Sequence, residues 1–474
     1  MSIEECPGGI DLSVGGLNFW EVRFEADLMK RRRGNFGTFD SLKSHNYRLY
    51  MAGQLVSVSG TWMQTVGLSW LVLKLTGSGV ALGAVLAAQF LPVLILGAFG
   101  GLVADRANKR KLIVITQSSL ALASLLLGTL TELGAIQMWM VYSISIWLGV
   151  TNALDNPARQ SFVSEMVRKK NVANAVSLNA VVMNSARVIG PGIAGLVIYS
   201  LGIGFLFIAN AGSFIAVIIA LLAMRVGELN MTQRASRSKG QLRDGFKYVW
   251  SMDHLKVPLL MMVLVGTMAF EFQVSFPLFA SSTFHQGAGT YAAFMSFMGA
   301  GAVIGGLSAA TFPQTSIKRF AITSIGFGLF ILIAAIAPSP IWAMVAMVPM
   351  GAASIVFISI ANSILQLKSD PMMRGRVMAL FTVAFMGSTP VGAPIVGYIG
   401  QHFGARYSIA IGGVAALFAG AYGLFHASRR PAAIAETTPD AENIKPEGNG
   451  SGLVAFSSDY RCRFRTIFQF KHNS

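Results

Sequence analysis

The stretch Gly101-Leu-Val-Ala-Asp-Arg-Ala-Asn-Lys-Arg-Lys111 decides how the rest of the chain is organised. It holds five charged residues between two apolar runs, one reaching back to Leu49 and one resuming at Leu112. Each run is long enough to cross a bilayer, which takes about 20 apolar residues. A short charged segment between two such runs predicts a tight turn at a membrane surface. Its mainly positive sign predicts the cytoplasmic surface.

The composition indicates the same class of protein. Hydrophobic residues make up 53% of the 474-residue chain and charged residues only 12%, about half the charged fraction of a soluble domain. The apolar segments are continuous rather than alternating, so we predict an all-α membrane protein and not a barrel. The net charge of +16 falls in short loops on alternate sides of the apolar runs. That distribution is typical of positive-inside topology and argues against nucleic-acid binding.

Twelve hydrophobic spans are predicted from this pattern. They lie at about 49–73, 80–104, 112–132, 138–154, 176–199, 203–224, 257–281, 291–311, 320–337, 341–364, 377–400 and 407–426. The chain then divides into a cytoplasmic N-terminal tail (1–45), a six-helix bundle (46–224), a cytoplasmic linker with an amphipathic helix (225–256), a second six-helix bundle (257–427) and a cytoplasmic C-terminal tail (428–474).

The loop charges orient these spans. The loops predicted to be outside contain only Lys74 and Arg406 as cations, whereas the other loops and the tails are rich in lysine and arginine. We therefore predict a multi-pass protein of the plasma membrane with both termini in the cytoplasm. The sequence leaves open whether translation begins at Met1 or at Met29, which precedes a basic run.

An internal repeat relates the two bundles. Gly100-Gly101-Leu102 recurs as Gly305-Gly306-Leu307, and the pattern that begins at Ile189-Gly190 recurs at Val391-Gly392 with a nearly equal offset. Two six-helix repeats joined by a cytoplasmic linker are typical of a transporter whose substrate site lies between the halves.

Specific motifs resemble a known family. The pattern Gly101-x-x-x-Asp105-Arg106-x-Asn108-Lys109-Arg110 resembles the loop signature of the major facilitator superfamily, which usually has glycine in place of Asn108. We expect Asn108 to supply the left-handed turn that glycine would give. Other stretches resemble the exporter branch of transmembrane secretion effectors, which includes the enterobactin exporter and macrolide efflux proteins. These stretches are Asn46–Gln54, Gly60–Gln64, Asn156–Gln160 and Arg187–Gly195.

The resemblance implies twelve transmembrane helices in two pseudo-symmetric six-helix bundles. It also implies that the charged turn acts as a conformational latch, with Asp105 against the N-terminus of the eleventh span near Arg374–Val377. Such a contact stabilises by about 0.3–1 kcal/mol, and by up to about 2 kcal/mol when partly buried. A solvated surface charge is the alternative reading of Asp105. The latch residues are Gly101, Asp105, Arg106, Lys109 and Arg110.

A second group of charges is predicted to form an inner gate across the two bundles. Its members are Asp155, Arg159, Arg374 and Arg376. Four polar residues within apolar spans are candidates for the wall of the substrate cavity. They are Gln54, Gln64, Asn184 and Asn362.

Arg187 and Glu271 are the charges placed deepest in the predicted spans. A charge at the bilayer centre costs about 2.5–3.5 kcal/mol on insertion scales, so both should face protein or a water-filled cavity. Arg187 either forms structural hydrogen bonds, binds an anionic substrate or senses protonation. Glu271 either hydrates an outer vestibule or is the coupling carboxylate that takes up a proton outside and releases it inside.

The fifth span contains a motif that resembles the one associated with antiporters. Its residues are Arg187, Gly190, Pro191 and Gly195. Small residues allow close helix approach and proline bends a helix, so the motif predicts either ordinary packing or a bend that controls the rocking of the bundles.

Other function classes lack their motifs. No His-Glu-x-x-His or Asp-rich pair suggests a membrane enzyme, and no phosphate-binding loop suggests an ATP-driven pump. We predict no enzymatic activity, no cofactor and no metal. The preferred function is proton-coupled export of a small amphipathic compound, drug-like or siderophore-like, by alternating access. The alternatives are import of a small metabolite and a non-transporting sensor. Expected partners are the lipid bilayer, the substrate and protons, and we expect a monomer.

Overall fold

The computed structural model describes residues 39–230, 241–309 and 316–428. Most of both predicted tails, and the choice between Met1 and Met29, lie outside these ranges. Within the ranges the chain is helical and no β-strand occurs. The prediction of an all-α membrane protein is confirmed.

Six long helices form the first bundle. They are α1 (His45–Thr76), α2 (Gly79–Arg106), α3 (Lys109–Glu132), α4 (Met138–Phe162), α5 (Val172–Ser200) and α6 (Ile203–Leu222). The largest departure from the predicted bounds is at α4, which continues about two turns beyond the expected end near 154. It continues because Asp155 and Arg159 form an ion pair one turn apart, so these charges stabilise the helix instead of ending it.

A linker helix and eight further helices follow. They are α7 (Gln241–Ser251), α8 (Asp253–Ala269), α9 (Phe272–Leu278), α10 (Ala288–Ala309), α11 (Ile317–Ala335), α12 (Pro340–Leu367), α13 (Arg374–Met386), α14 (Thr389–His402) and α15 (Ala405–Ser428). Two predicted spans are interrupted. The seventh is divided between α8 and α9 at Phe270 and Glu271, and the eleventh between α13 and α14 at Gly387 and Ser388.

Ten helical segments within the described ranges are long and apolar enough to cross a membrane, judged by length and composition. Helices α1 and α4 are not among them, although they contain 32 and 25 residues. Both carry several polar residues, including Gln54 and Gln64 in α1 and Asp155 in α4, which lower their apolar character. The count of twelve spans therefore stays a prediction for these two helices.

The internal repeat has a structural counterpart in helix packing. A methyl group added to Gly100 of α2 would collide with the carbonyl of Ala153 in α4. The repeated Gly305 of α10 lies in the same way against the carbonyl of Ala352 in α12. Both glycines are needed where two helix backbones meet this closely. The two bundles therefore share one packing scheme.

The bundles touch each other at the end that the charge pattern predicts to be outside. Helix α2 packs on α14, where Gly83 lies directly against the backbone of Ala393. At the same end the Ser78 hydroxyl donates a hydrogen bond of 2.6 Å to the Gln401 side-chain oxygen. The repeat-related contact joins α5 and α10, where a methyl group built on Gly195 would lie 3.1 Å from the Cβ of Ala292. We call these two contacts, α2 with α14 and α5 with α10, the outer seam.

The linker helix α7 packs against the opposite end of the second bundle. The backbone N–H of Asp370 donates a 3.0 Å hydrogen bond to the Tyr248 hydroxyl, and Gly245 faces Arg376. On its exposed side the rings of Phe246 and Trp250 stack with centroids 4.7 Å apart. An aromatic, solvent-facing surface of this kind suits the position along the membrane surface expected for the linker.

Candidate functional site

In the charged turn between α2 and α3, Asn108 does not adopt the left-handed conformation that was expected. This residue has a φ of −68° and is the N-cap of α3, where its side-chain oxygen accepts a hydrogen bond of 3.1 Å from the Lys111 backbone N–H. The prediction of a left-handed Asn108 is therefore wrong. An N-cap needs an extended backbone and a short polar side chain, and asparagine supplies both.

Two basic residues of the turn hold the first bundle together. Lys109 forms an ion pair with Glu165, and both side chains are largely buried. Arg110 Nε donates a 2.7 Å hydrogen bond to the carbonyl of Leu221 at the end of α6, where a cation is favoured by the helix dipole.

The other predicted latch residues lie at the end of α2. Gly101 and Asp105 are half-buried in its last turns, and Arg106 is exposed. The contact of Asp105 with the start of α13 stays a prediction.

Asp155 is the centre of a buried polar network in the first bundle. Its Oδ1 accepts hydrogen bonds from the Thr116 hydroxyl at 2.6 Å and from Gln117 Nε2 at 3.0 Å. Its Oδ2 lies 2.6 Å from Arg159 Nε, an ion pair without the angle of a good hydrogen bond. Arg159 also reaches Gln54 Oε1 at 3.4 Å. The network neutralises a carboxylate that is completely buried.

The predicted partners of this network across the bundles lie at the start of α13. Arg374 is the first residue of that helix and is exposed, and Arg376 donates to the sulfur of Met373 at 3.3 Å. The partners of Asp155 described above all belong to the first bundle. An inner gate that joins the two groups stays a prediction.

The fifth-helix motif lies where α5 meets its neighbours. A methyl group on Gly190 would collide with the Ser59 carbonyl and the Trp62 side chain of α1, so glycine is required for this approach. Helix α5 runs without interruption across Pro191. The Cζ atom of Arg187 lies 4.9 Å from the centre of the Trp62 ring.

Glu271 occupies the break between α8 and α9. Its side chain is only 3% exposed, and its Oε1 atom has no hydrogen-bond partner. A methyl group built on Gly392 of α14 would lie 3.1 Å from this oxygen and would collide with the Thr267 carbonyl. Thr389, the first residue of α14, lies beside the same carboxyl group. A buried acid is thus placed where two interrupted helices meet.

A small cavity of about 40 Å³ lies against the first bundle. Such a volume holds only a few water molecules, so it is too small for a drug-sized substrate. Its polar wall includes Gln64, Gln89, Asn152, Arg159 and Gln273. The cavity therefore reaches from the Asp155 network to the second bundle, which contributes Gln273.

The four predicted cavity residues have different surroundings. Gln64 lines this cavity, and its Oε1 accepts 2.6 Å hydrogen bonds from Ser124 and Asn210. The other three lie apart from these contacts: Gln54 is buried beside Arg159, while Asn184 and Asn362 are half-buried on α5 and α12.

Sequence reasoning missed Gln273, because its role depends on the break beside Glu271. It also missed Asn152, which lies inside the predicted fourth span but is shown to face the cavity only by the packing of α4. Within the described ranges no cluster of three or more histidine, cysteine, aspartate or glutamate side chains could hold a metal ion.

Two related helical bundles, closed at one end and holding a buried acid at interrupted helices, define the class of membrane transporters with internal repeats. A sequence profile described as transmembrane secretion effector matches residues 36–472. The chain belongs to this family, a branch of the major facilitator superfamily.

The chain is similar to curated relatives, two of which are described here. A staphyloferrin A transporter of Staphylococcus aureus is 28% identical over 191 residues, which cover 40% of this chain and 48% of the relative. An enterobactin exporter of Shigella flexneri is 25% identical over 305 residues, which cover 64% of this chain and 72% of the relative. The matched part thus spans about half the length of the first of these relatives.

The fold is shared with solved transporter structures. A bacterial homologue of the iron transporter ferroportin, solved in an inward-facing state, has a TM-score of 0.63 and 14% identity, with 81% of this chain and 99% of that chain covered. At this identity the likeness concerns the fold alone.

Proposed function

We propose that the protein is a proton-coupled exporter of small amphipathic compounds that works by alternating access at the bacterial inner membrane, with both termini in the cytoplasm. The observation that carries this proposal is the position of Glu271. An ionised carboxylate that is enclosed in protein and has an oxygen without a hydrogen-bond partner is costly, so the group is stable there only when it carries a proton or meets water. A group of this kind can exchange one proton per cycle between the two sides.

The contacts of Glu271 connect its charge to the outer seam. Gly392 lies against the Glu271 carboxylate, and the next residue, Ala393, lies against Gly83 of the first bundle. A change of charge at Glu271 therefore acts one residue away from the contact that closes the outer end. The break before Thr389 separates this part of the helix from α13 and lets α14 move with the seam.

The cycle follows from this connection. With the outer seam closed, the substrate site opens towards the cytoplasm. Release of the proton leaves an ionised Glu271, which favours hydration and therefore separation of the seam. Uptake of a proton from outside removes the charge and favours closure again. The proton moves inwards while the substrate moves outwards.

The inner end needs contacts that form when the outer end opens. Asp105 against the start of α13, together with the Asp155 and Arg159 pair near Arg374 and Arg376, would provide them. The names of the two curated relatives support siderophore-like compounds as substrates. The two relatives also support export and import as competing directions, since one is named an exporter and the other only a transporter.

Transport in everted membrane vesicles tests the proposal. The lumen of these vesicles corresponds to the outside of the cell, and it is acidified by respiration. Enterobactin, staphyloferrin A and a panel of antibiotics are offered on the outer face of the vesicles. We expect at least one of them to accumulate in the lumen, and a protonophore to abolish the accumulation.

Glu271→Gln isolates the coupling step. This variant should lose accumulation driven by the proton gradient but keep exchange of labelled substrate across the membrane. Glu228→Gln is the matched control, because Glu228 is exposed and forms only a surface pair with Arg225. Gradient-driven accumulation by Glu271→Gln would contradict the coupling role. Accumulation in right-side-out vesicles alone would indicate an importer, and no flux in either orientation would indicate a sensor.

A further inference from the structure

Arg187 forms no ion pair with any residue in the part of the chain that the structure describes. Four ion pairs occur in the described ranges, and none of them includes Arg187. No hydrogen bond from its guanidinium group to another described residue is formed, and its Cζ atom lies over the ring of Trp62. The side chain is half-buried, and its nitrogen atoms are not sealed within protein.

Four other cations packed in or beside the bundles are satisfied by protein groups. Lys109 and Arg159 pair with carboxylates. Arg110 and Arg406 donate hydrogen bonds of 2.7 Å to carbonyl groups at helix ends. Arg187 differs from these four, because its donors remain available to a molecule that is not part of the chain.

The position of Arg187 is at the interface of the two bundles. The Val188 carbonyl accepts a 3.3 Å hydrogen bond from Ser296 of α10, and the Arg187 carbonyl lies 3.0 Å from a methyl group built on Gly299. Trp62, which supports the guanidinium group, directly follows Thr61 in the wall of the small cavity. Arg187 thus lies between the bundles, where a substrate must pass during alternating access.

We infer that Arg187, stacked on Trp62, is the anion-binding position of the transport pathway, and that the exported compounds carry a carboxylate or a similar planar anionic group. This inference rests on the proposed export function. A guanidinium group presents donors in a planar fork that matches two oxygens of one carboxylate. The indole ring holds the plane of the fork by a cation–π contact and offers an apolar surface to the rest of the substrate.

Two dyes that share a ring system separate charge from shape. Carboxyfluorescein is anionic and a rhodamine of similar size is cationic. Binding of each to purified protein in nanodiscs is measured by fluorescence anisotropy, and export of each is measured in everted vesicles. The variants are Arg187→Gln, which removes the charge, and Arg187→Lys, which keeps the charge but removes the fork. Arg225→Gln is the control, since Arg225 is 66% exposed and pairs with Glu228 at the surface.

The wild-type protein should bind carboxyfluorescein more tightly than the rhodamine. Arg187→Gln should weaken carboxyfluorescein binding about tenfold or more, the usual effect of losing a hydrogen-bonded charge. Arg187→Lys should fall between it and the wild type, and Arg225→Gln should match the wild type. If Arg187→Gln is not recovered as a single species, carboxyfluorescein binding by Arg187→Lys is compared with that of the wild type instead.

Two results overturn the inference: unchanged carboxyfluorescein binding by the Arg187 variants, or preference of the wild type for the cationic dye. Failure of the proposed export function looks different. Binding that depends on Arg187 without transport of either dye would support the anion site and contradict export. Export of the rhodamine alone, with Arg187→Gln as active as the wild type, would support export and overturn the anion site.

Discussion

Substitution of Gly83 by alanine tests whether the outer seam controls the transport cycle. A methyl group at this position would overlap the backbone carbonyl of Ala393 and approach the Cα of Pro394. These are backbone atoms of α14, so no side chain can turn away to relieve the overlap. Overpacking of this kind costs about 1–3 kcal/mol. The cost applies only while the seam is closed, so the closed state should lose about 5- to 150-fold in population relative to the open state.

The population is measured by labelling a cysteine at the seam. Cys6 and Cys462 are first replaced by serine, and Ser78→Cys then provides one thiol at the outer end. Its reaction with a membrane-impermeant maleimide reports how often the seam opens. We expect Gly83→Ala to increase the labelling rate several-fold or more and to slow transport, because the outward-open state accumulates.

Gly97→Ala is the matched control in the same helix. Nothing lies within 4 Å of a methyl group built on Gly97, and alanine stabilises a helix by up to about 1 kcal/mol relative to glycine. Its labelling rate and transport should equal those of the parent protein. Equal labelling of Gly83→Ala and Gly97→Ala would refute the reasoning, since it would mean that the close approach of α2 and α14 does not determine closure.

Two further changes test the polar groups of the first bundle. Asp155→Asn leaves Arg159 buried without its counter-ion, so we expect a loss of about 3–5 kcal/mol in the free energy of unfolding. This loss should be seen as a lower Tm in detergent. An unchanged Tm would mean that the pair is not structurally important. Asp105→Asn should reduce transport a few-fold without changing the amount of protein in the membrane. The reason is that a carboxylate on a helix N-terminus stabilises the contact by about 0.3–2 kcal/mol. Wild-type flux in proteoliposomes would reject the latch.

Most helix positions could be predicted from the sequence because a bilayer demands long apolar runs. The end of α4 could not, because the apolar run stops at Leu154 while the helix continues. The continuation depends on the pairing of Asp155 with Arg159 and with groups on α3, which only the packed bundle supplies. The conformation of Asn108 could not be predicted either, because asparagine is favoured both at a helix N-cap and in a left-handed turn.

The helix interruptions show a second limit. The sequence Gly387-Ser-Thr-Pro390 contains a signal for the end of one helix and the start of another, since proline is favoured in the first turn. No comparable signal precedes Glu271, and its meeting with Gly392 joins residues more than a hundred positions apart. The sequence therefore indicated Glu271 as a buried charge but could not indicate its neighbour. Arg187 was similarly placed in a span, whereas its lack of an ion pair within the described ranges emerged from the packed bundles.

The composition of the outer seam determines whether salt or lipid affects its opening. Its contacts described above are made by glycine, alanine, serine and glutamine and by the backbone carbonyls of Arg187 and Val188, and no charged side chain takes part in them. The seam contacts themselves therefore bury no charged side chain, and ionic strength should have little direct influence on them. Its strength comes from close packing of helix backbones, which depends on the lateral pressure and thickness of the surrounding lipid. The lipid composition of the membrane, more than the salt of the medium, thus sets how readily the outer end opens.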